Sequence, residues 1–319
     1  MSLKKTKSSV AVAGSLAFDC VMNFPGRFSA HILPGKIHDL NVSFSLDRLS
    51  TGFGGTAGNI AYNLALLQER PSVLSAVGAD FLLYRRHLLA LGADLCALAR
   101  NQRERCASAF IMTDKDDNQL SGFYPGPALL PDFKRLDKKN INYLIIAPDL
   151  KARMLAAQAW AIKRNLPYIF DPGQQVINFS PTELRKIIRS AFLTIGNDYE
   201  VEVIRLALAC SDAASISPRR PLIITKGAQG SEIITANKRI LIPAVAVREN
   251  LDPTGAGDAY RAGLLKGLVL GMPLVEAAKL ASTVAVYAVE KKGTQNHRFT
   301  LKNLEKRYRQ SFGQALKLT

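Results

Sequence analysis

Asp252-Pro253-Thr254-Gly255-Ala256-Gly257-Asp258 stands between residues 239–247, which read as a short strand, and residues 259–271, an apolar run of helical length. Small residues at 255, 256 and 257 let backbone amides crowd together where that helix begins. The free N–H groups of a first helical turn and the positive end of its dipole then converge on one point, which suits a phosphate. Asp258 sets a carboxylate beside that point. Two negative charges repel there unless the carboxylate takes a proton from an attacking hydroxyl. The spacing therefore points to phosphoryl transfer onto an alcohol, with Asp258 as general base. A strand-to-helix turn with an Asp near the N-cap is the plainer reading, so the rest of the chain has to decide.

Composition narrows the field. A chain of 319 residues with 48% hydrophobic content builds a substantial core, as one large α/β domain or two smaller ones. Cys20, Cys96, Cys106 and Cys210 are widely scattered, without paired metal spacing or a disulfide framework, which fits a reducing cytoplasm. Residues 1–9 are polar and basic, and the apolar run 10–16 is too short for a signal-peptide core. Arg261 and Lys266 break the best candidate for a membrane span. A cytoplasmic protein with no membrane partner is expected. The formal charge of +16 is dispersed over pairs such as Arg85-Arg86, Lys138-Lys139, Arg219-Arg220 and Lys291-Lys292. No RNA-binding signature, zinc finger or basic-region heptad accompanies them. The charge reads as a basic surface that attracts nucleotides, not as a nucleic-acid interface.

Strand readings at 9–14, 72–77, 143–147, 167–170, 192–195 and 222–225 alternate with helix readings at 56–68, 81–91, 152–164, 182–189 and 199–209. Further strands are read at 231–235 and 239–247, and helices at 257–270, 274–289 and 300–312. This alternation predicts an α/β fold: a doubly wound, mainly parallel sheet covered on both faces, in one domain over 1–319. Strand-like segments near 16–22, 37–49 and 106–124 lack helices between them. They predict a small separate β-sheet that serves as a lid, built from about 16–53 and 105–126.

At this point the motifs are similar to those of the ribokinase/PfkB superfamily of small-molecule kinases. Gly54-Gly55-Thr56-Ala57-Gly58-Asn59 resembles its N-terminal glycine motif, and 252–258 continuing into Ala259-Tyr260-Arg261-Ala262-Gly263 its C-terminal signature. Asn197-Asp198-Tyr199-Glu200 fits Asn-x-x-Glu, and Thr225-Lys226-Gly227-Ala228-Gln229-Gly230 looks like the nucleotide loop. Phe24 to Ser29, Phe123-Tyr124-Pro125-Gly126, Asp171-Pro172-Gly173-Gln174-Gln175 and Lys292-Gly293-Thr294-Gln295 resemble the bacterial adenosine kinase branch.

The resemblance implies a role for each matching residue. Asp258 becomes the base, and the amides of Gly255, Ala256 and Gly257 the anion hole around the transferring phosphoryl. Asp19 has two oxygens that accept from neighbouring hydroxyls, which suits the 2′ and 3′ hydroxyls of a ribose. Gly54 and Gly55 admit the sugar close to the backbone, Asn59 both donates and accepts, and Ser15 stands near them. Phe123 is read as a stacking platform for a purine, with Gln174 or Gln175 on its polar edge; a strand Phe is otherwise core packing. Ala109 departs from the branch, which often carries an aromatic there, and the neighbouring Phe110 points to the other face of a strand.

The ATP end falls to Asn197, Thr225, Lys226, Gly227, Gly230 and Gly257. Glu200 is implied near Mg²⁺ through water, although Asn-x-x-Glu also describes a capping box. Asp252 and the Thr254 backbone resemble a monovalent-cation site, so K⁺ joins ATP and Mg²⁺ as an expected cofactor. His31, His38, His87 and His297 form no metal or triad spacing. The expected activity is phosphorylation of the 5′-hydroxyl of adenosine. A sugar kinase of the same fold, acting on ribose, fructose or a phosphosugar, is one alternative. A non-catalytic nucleotide- or nucleic-acid-binding protein is the other. A homodimer through the lid is also expected, with Phe44 as a hydrophobic contact.

Overall fold

The central strands are short and apolar on both faces, the pattern of a sheet held between two helical layers. A computed structural model of the chain describes residues 9–32, 34–248 and 252–318; the polar start through residue 8 lies outside the described residues. The first half holds β1 (Ser9–Ala13), β2 (Ala17–Asn23), β3 (Arg48–Gly54), α1 (Thr56–Leu66), β4 (Ser72–Leu74), β5 (Ala76–Val77), α2 (Leu82–Ala90), β6 (Ala99–Arg100), β7 (Ala107–Thr113), β8 (Gln119–Tyr124) and β9 (Ile141–Ile146). There follow α3 (Lys151–Lys163), β10 (Tyr168–Phe170), α4 (Pro181–Ser190), β11 (Leu193–Asn197), α5 (Asp198–Ala207), β12 (Leu222–Thr225), β13 (Ser231–Ile234), β14 (Arg239–Ile242), α6 (Ala256–Val269), α7 (Leu274–Val289) and α8 (Leu301–Phe312).

One sheet runs in the order β14, β13, β12, β11, β10, β9, β1, β4. Its strands are parallel from β4 to β12, and β13 and β14 close it antiparallel. The period of two sorts side chains between layers. Val10, Val12 and Ile145 join Ile60 and Leu64 of α1 and Leu264 and Leu280 of α6 and α7. Ala11, Leu144, Ile146 and Phe170 join Met154, Ile187 and Ile204 of α3, α4 and α5. The parallel, doubly wound expectation is met. α6 and α7 approach closely because glycines face alanines: a Cβ on Gly263 would lie 2.7 Å from the Ala281 α-carbon, and one on Gly267 2.7 Å from that of Ala277.

A second sheet, in the order β3, β2, β7, β8, stands apart from the first. β2 and β7 pair in parallel and the flanking pairs are antiparallel. Three sequence readings need correction. The segment near 37–49 is not strand until Arg48; residues 34–39 form a 3₁₀ turn. Aromatic packing overrides the alternation there, since the Phe44 ring sits 4.8 Å from Phe24 and 5.2 Å from Phe28. Phe44 thereby packs within the lobe while staying half-exposed. The 72–77 run divides between two sheets: Leu74 carbonyl accepts from Gly14 and Ser75 carbonyl from Ala99, so the chain changes partners between them. The 239–247 strand ends at Ile242, before Pro243, which has no N–H to donate.

Gly263→Val tests the close helix pair. Overpacking of this kind costs about 1–3 kcal/mol. The denaturant midpoint should fall at unchanged slope; an unchanged midpoint would contradict the contact.

Candidate active site

The C-terminal ends of the parallel strands gather the chemistry along one edge, where open α/β sheets bind ligands. Ala13 is in register with Ile146, Ile146 with Phe170, and Asn197 with Thr225. Gly14-Ser15, Asp171, Asn197 and Lys226 therefore leave the sheet on the same side. β1 lies between β9 and β4, so the strand order reverses beside it. That switch point is where β2 and the second sheet depart.

α6 brings the phosphate end. Gly255 caps it with φ +81°, a left-handed conformation that favours glycine. Ala256 donates its N–H to Pro253 carbonyl at 3.1 Å. Of the three amides expected in the anion hole, Ala256 is thus turned into the loop. Those of Gly255 and Gly257 meet no acceptor among the described residues. One turn on, Arg261 forms a buried two-pronged pair with Asp171, its Nη2 2.8 Å from Oδ1 and its Nε bonding Oδ2. Its Nη1 donates to Gly257 carbonyl at 3.1 Å. The start of α6 is thereby tied to the end of β10.

Asp258 accepts from Asn59 Nδ2 at 2.8 Å, which joins α6 to α1. Desolvation in the cleft pushes its carboxyl up to about 7, against the lowering influence of Asn59 and Arg261; Asp171 and Asp19 push it higher. A group with that value is half ionised at neutrality, suited to take a proton.

The residues expected at the sugar lie on the second sheet. Asp19 lies opposite Gly52 on β3 and Ala109 on β7, and Ala109 opposite Phe123 on β8. Gly52, Asp19, Ala109 and Phe123 thus form one row on one face. Phe110 pairs with Cys20 and Gly122, so it points to the other face, as the strand period required. Asp19 accepts no hydrogen bond among the described residues, and desolvation raises its carboxyl to about 6. A Cβ at Gly54 would fall 2.2 Å from Asp19 Oδ2, so only glycine fits beneath it. Phe123 is 57% exposed, which removes the core-packing explanation for it.

Other expected residues hold the frame. Gly55 has φ +80°, and a Cβ there would strike Ser15 carbonyl and Ala17 nitrogen at 2.6 Å. Ser15 Oγ accepts from Thr56 N at 3.1 Å, which seats the start of α1. Gln174 is exposed on the 3₁₀ turn after β10, and Gln175 is engaged by Asn178 at 2.8 Å.

At the nucleotide end, Asn197 and Glu200 make the capping box in full: Asn197 Oδ1 accepts from Glu200 N at 2.7 Å and Glu200 Oε2 from Asn197 N at 2.8 Å. Glu200 is buried beside Asp171, and burial followed by that charge raises its carboxyl. The Lys226 ammonium pairs with Glu232 at 2.6 Å. Thr225 Oγ1 reaches Gly196 carbonyl at 3.4 Å. Gly227 and Gly230 have φ of +55° and +88°, and a Cβ on Gly230 would sit 2.1 Å from Ile242 carbonyl. Asp252 accepts from Thr254 N and Gly293 N, both at 2.9 Å.

Sequence reasoning gave no role to Asp171, Arg261 or Gln295. All three stood inside quoted motifs. Arg261 carried its own signal: a charge in an otherwise apolar helix needs a partner when buried.

The model of the pfkB family carbohydrate kinases matches residues 8–300. The nucleoside kinase of Methanocaldococcus jannaschii is 33% identical over 267 residues, 82% of this chain and 87% of that protein. Burkholderia thailandensis nucleoside kinase in complex with inosine superposes with a TM-score of 0.83 at 33% identity, over 96% of this chain and 99% of that one. Its complex with ADP-inosine gives 0.80 at 34%, over 97% of each chain. Among the described residues no helix is long and apolar enough to cross a membrane.

If Asp258 is the base, Asp258→Asn should retain ligand binding and lose about 10²–10⁴-fold in kcat. In the wild type, kcat/KM should rise with pH through about 7, since the ionised form is active. A loss under tenfold, or a flat profile from pH 5.5 to 8, would remove Asp258 from that role.

Proposed function

The chain belongs to the pfkB family of carbohydrate kinases and is a phosphotransferase acting on a hydroxyl; on that premise we propose that it is a cytoplasmic nucleoside kinase that transfers the γ-phosphate of ATP to the 5′-hydroxyl of adenosine. The row Asp19, Ala109, Phe123 carries the reading. Asp19 clamps the ribose hydroxyls, and Phe123 offers an exposed ring to the base, for which a free sugar has no use. The small Ala109 leaves the space between them open. Inosine and ADP-inosine bound to a protein 33–34% identical support a nucleoside acceptor and an adenine nucleotide donor.

The 5′-hydroxyl would lie against Asp258, which takes its proton as the oxygen attacks the γ-phosphorus in line and ADP leaves. The amides of Gly255 and Gly257 stabilise the charge on the transferring group. Gly227 and Gly230 allow the loop after β12 to approach the nucleotide. Bound with ATP, Mg²⁺ would supply charge neutralisation for the phosphates. Glu200, held by its capping box, would reach it through water, since Mg²⁺ keeps several waters beside nucleotides. Asp252 is where K⁺ would bind; each of its oxygens keeps a lone pair after accepting its amide.

We also propose a homodimer through the outer face of the second sheet. Met22, Leu49, Met112 and Leu120 are in register across it, with Leu49, Leu120 and Phe110 exposed. Exposed apolar surface of this kind marks association sites. Light scattering across the micromolar range should give twice the chain mass; Leu49→Lys with Leu120→Lys should halve it. A monomeric wild type would end the proposal.

The decisive assay offers adenosine, inosine, guanosine, ribose and fructose with ATP and Mg²⁺. Stacking adds roughly 0.5–1.5 kcal/mol, and each base hydrogen bond adds a similar amount. Adenosine should therefore exceed ribose by about tenfold to a thousandfold in kcat/KM. Phe123→Ala should narrow that gap with ribose unchanged. Faster turnover of ribose or fructose would overturn the nucleoside reading, and faster inosine or guanosine the adenosine one. Repeating the assay in tetramethylammonium salts should lower the rate; equal rates would remove K⁺.

A further inference from the structure

Asp258 is one end of a chain of side chains that runs to the surface. Asn59 Nδ2 donates to Asp258 Oδ2, and Gln295 Nε2 donates to Asn59 Oδ1 at 3.0 Å. The same Gln295 nitrogen donates to the Tyr84 hydroxyl at 2.8 Å, and Tyr84 donates to Gly54 carbonyl at 2.7 Å. Gln295 Oε1 lies 3.0 Å from His87 Nε2. Asn59, Tyr84 and Gln295 are buried and His87 half-buried. A Cβ on Gly58 would lie 1.7 Å from the Tyr84 oxygen, so that glycine opens the space in which α1 and α2 meet Gln295.

The direction of every bond follows from one atom. Gly54 carbonyl accepts and cannot donate, so the Tyr84 proton points at it. The Tyr84 oxygen then accepts, and Gln295 must present its NH₂ group. That group also faces Asn59, whose carbonyl oxygen must turn toward it. The NH₂ of Asn59 is left for Asp258. With Gln295 reversed, Asn59 would reverse as well and set its carbonyl oxygen against the Asp258 carboxylate.

We propose that Gln295 is a positioning residue for the base, holding Asn59 so that its NH₂ meets Asp258 Oδ2 and Oδ1 is left for the acceptor hydroxyl. This rests on the reading of Asp258 as base. The other charged groups that act on Asp258 are Arg261 of its own helix, Asp171 after β10 and Asp19 on β2. Substitution at 295 changes none of them.

The test is the pH profile of kcat/KM for Gln295→Leu and for the isosteric Gln295→Glu, with Asp258→Asn as control. Losing a hydrogen bond to a carboxylate shifts its titration by about one to two pH units. The acid limb should move from near 7 toward 8–9. At pH 7 activity should fall about five- to fiftyfold and return to within about twofold at pH 9. Gln295→Glu should shift it furthest, because its carboxylate draws the Asn59 NH₂ to itself. If Gln295→Leu fails to fold, Gln295→Glu carries the same readout. An unmoved midpoint, with activity lost evenly at every pH, overturns the proposal and leaves Gln295 a packing residue. Wild-type turnover by Asp258→Asn would instead sink the base assignment on which it stands.

Discussion

The Arg261–Asp171 pair is the constraint on which the site depends. A guanidinium and a carboxylate buried together are tolerated when each satisfies the other, and removing either partner leaves a charge that costs about 3–5 kcal/mol. Here the two-pronged geometry also fixes direction. Arg261 holds Gly257 carbonyl with its remaining nitrogen. That contact sets the rotation of the first turn of α6, which aims the Gly257 amide outward and presents Asp258 to Asn59. The close α6–α7 packing at Gly263 and Gly267 fixes the far end of the same helix. The turn that carries Asp258 is thus clamped from below by charge and from behind by contact.

The cleft divides its charge by environment. Asp171 has its arginine, and Glu200 its capping amide. Asp19 and Asp258 share neither, and desolvation raises both, to about 6 and about 7. At Asp258 the charge of Asp19 adds to desolvation, whereas at Asp19 desolvation alone acts. A carboxylate that accepts hydrogen bonds ionises more readily, so donors brought to Asp19 would lower it. The basic surface, at +16 overall, offsets the acidity of the cleft at longer range.

What the sequence revealed depended on how local each signal was. The helix start at 255–257, the Asn197–Glu200 box and the strand–helix alternation are encoded within a few residues, and they were legible. The opposite facing of Ala109 and Phe110 followed from the period of two and held in the register. Glu232, the partner of Lys226, lies across a hairpin, outside the local motif. The packing of Phe44 on Phe24 and Phe28 belongs to the folded lobe and outweighs the alternation read near 37–49. Asp171 and Arg261 are 90 residues apart, and Gln295 and Asn59 236. Composition and spacing carry no record of such meetings. A buried arginine declares that it has a partner and leaves the partner unnamed.

The second sheet joins its two halves through one parallel pair, β2 with β7. Parallel neighbours cannot be linked by a tight hairpin, and closing a long loop before contacts form is slow. Asp19 and Phe123 are therefore joined only by way of α1, β4 and α2, which carry the intervening chain back. β1 likewise pairs with β9, which lies far along the chain. In chain order Asp19 comes early and Phe123 far behind it. The row that Asp19, Ala109 and Phe123 share is a property of the finished topology, and no short segment of the chain contains it.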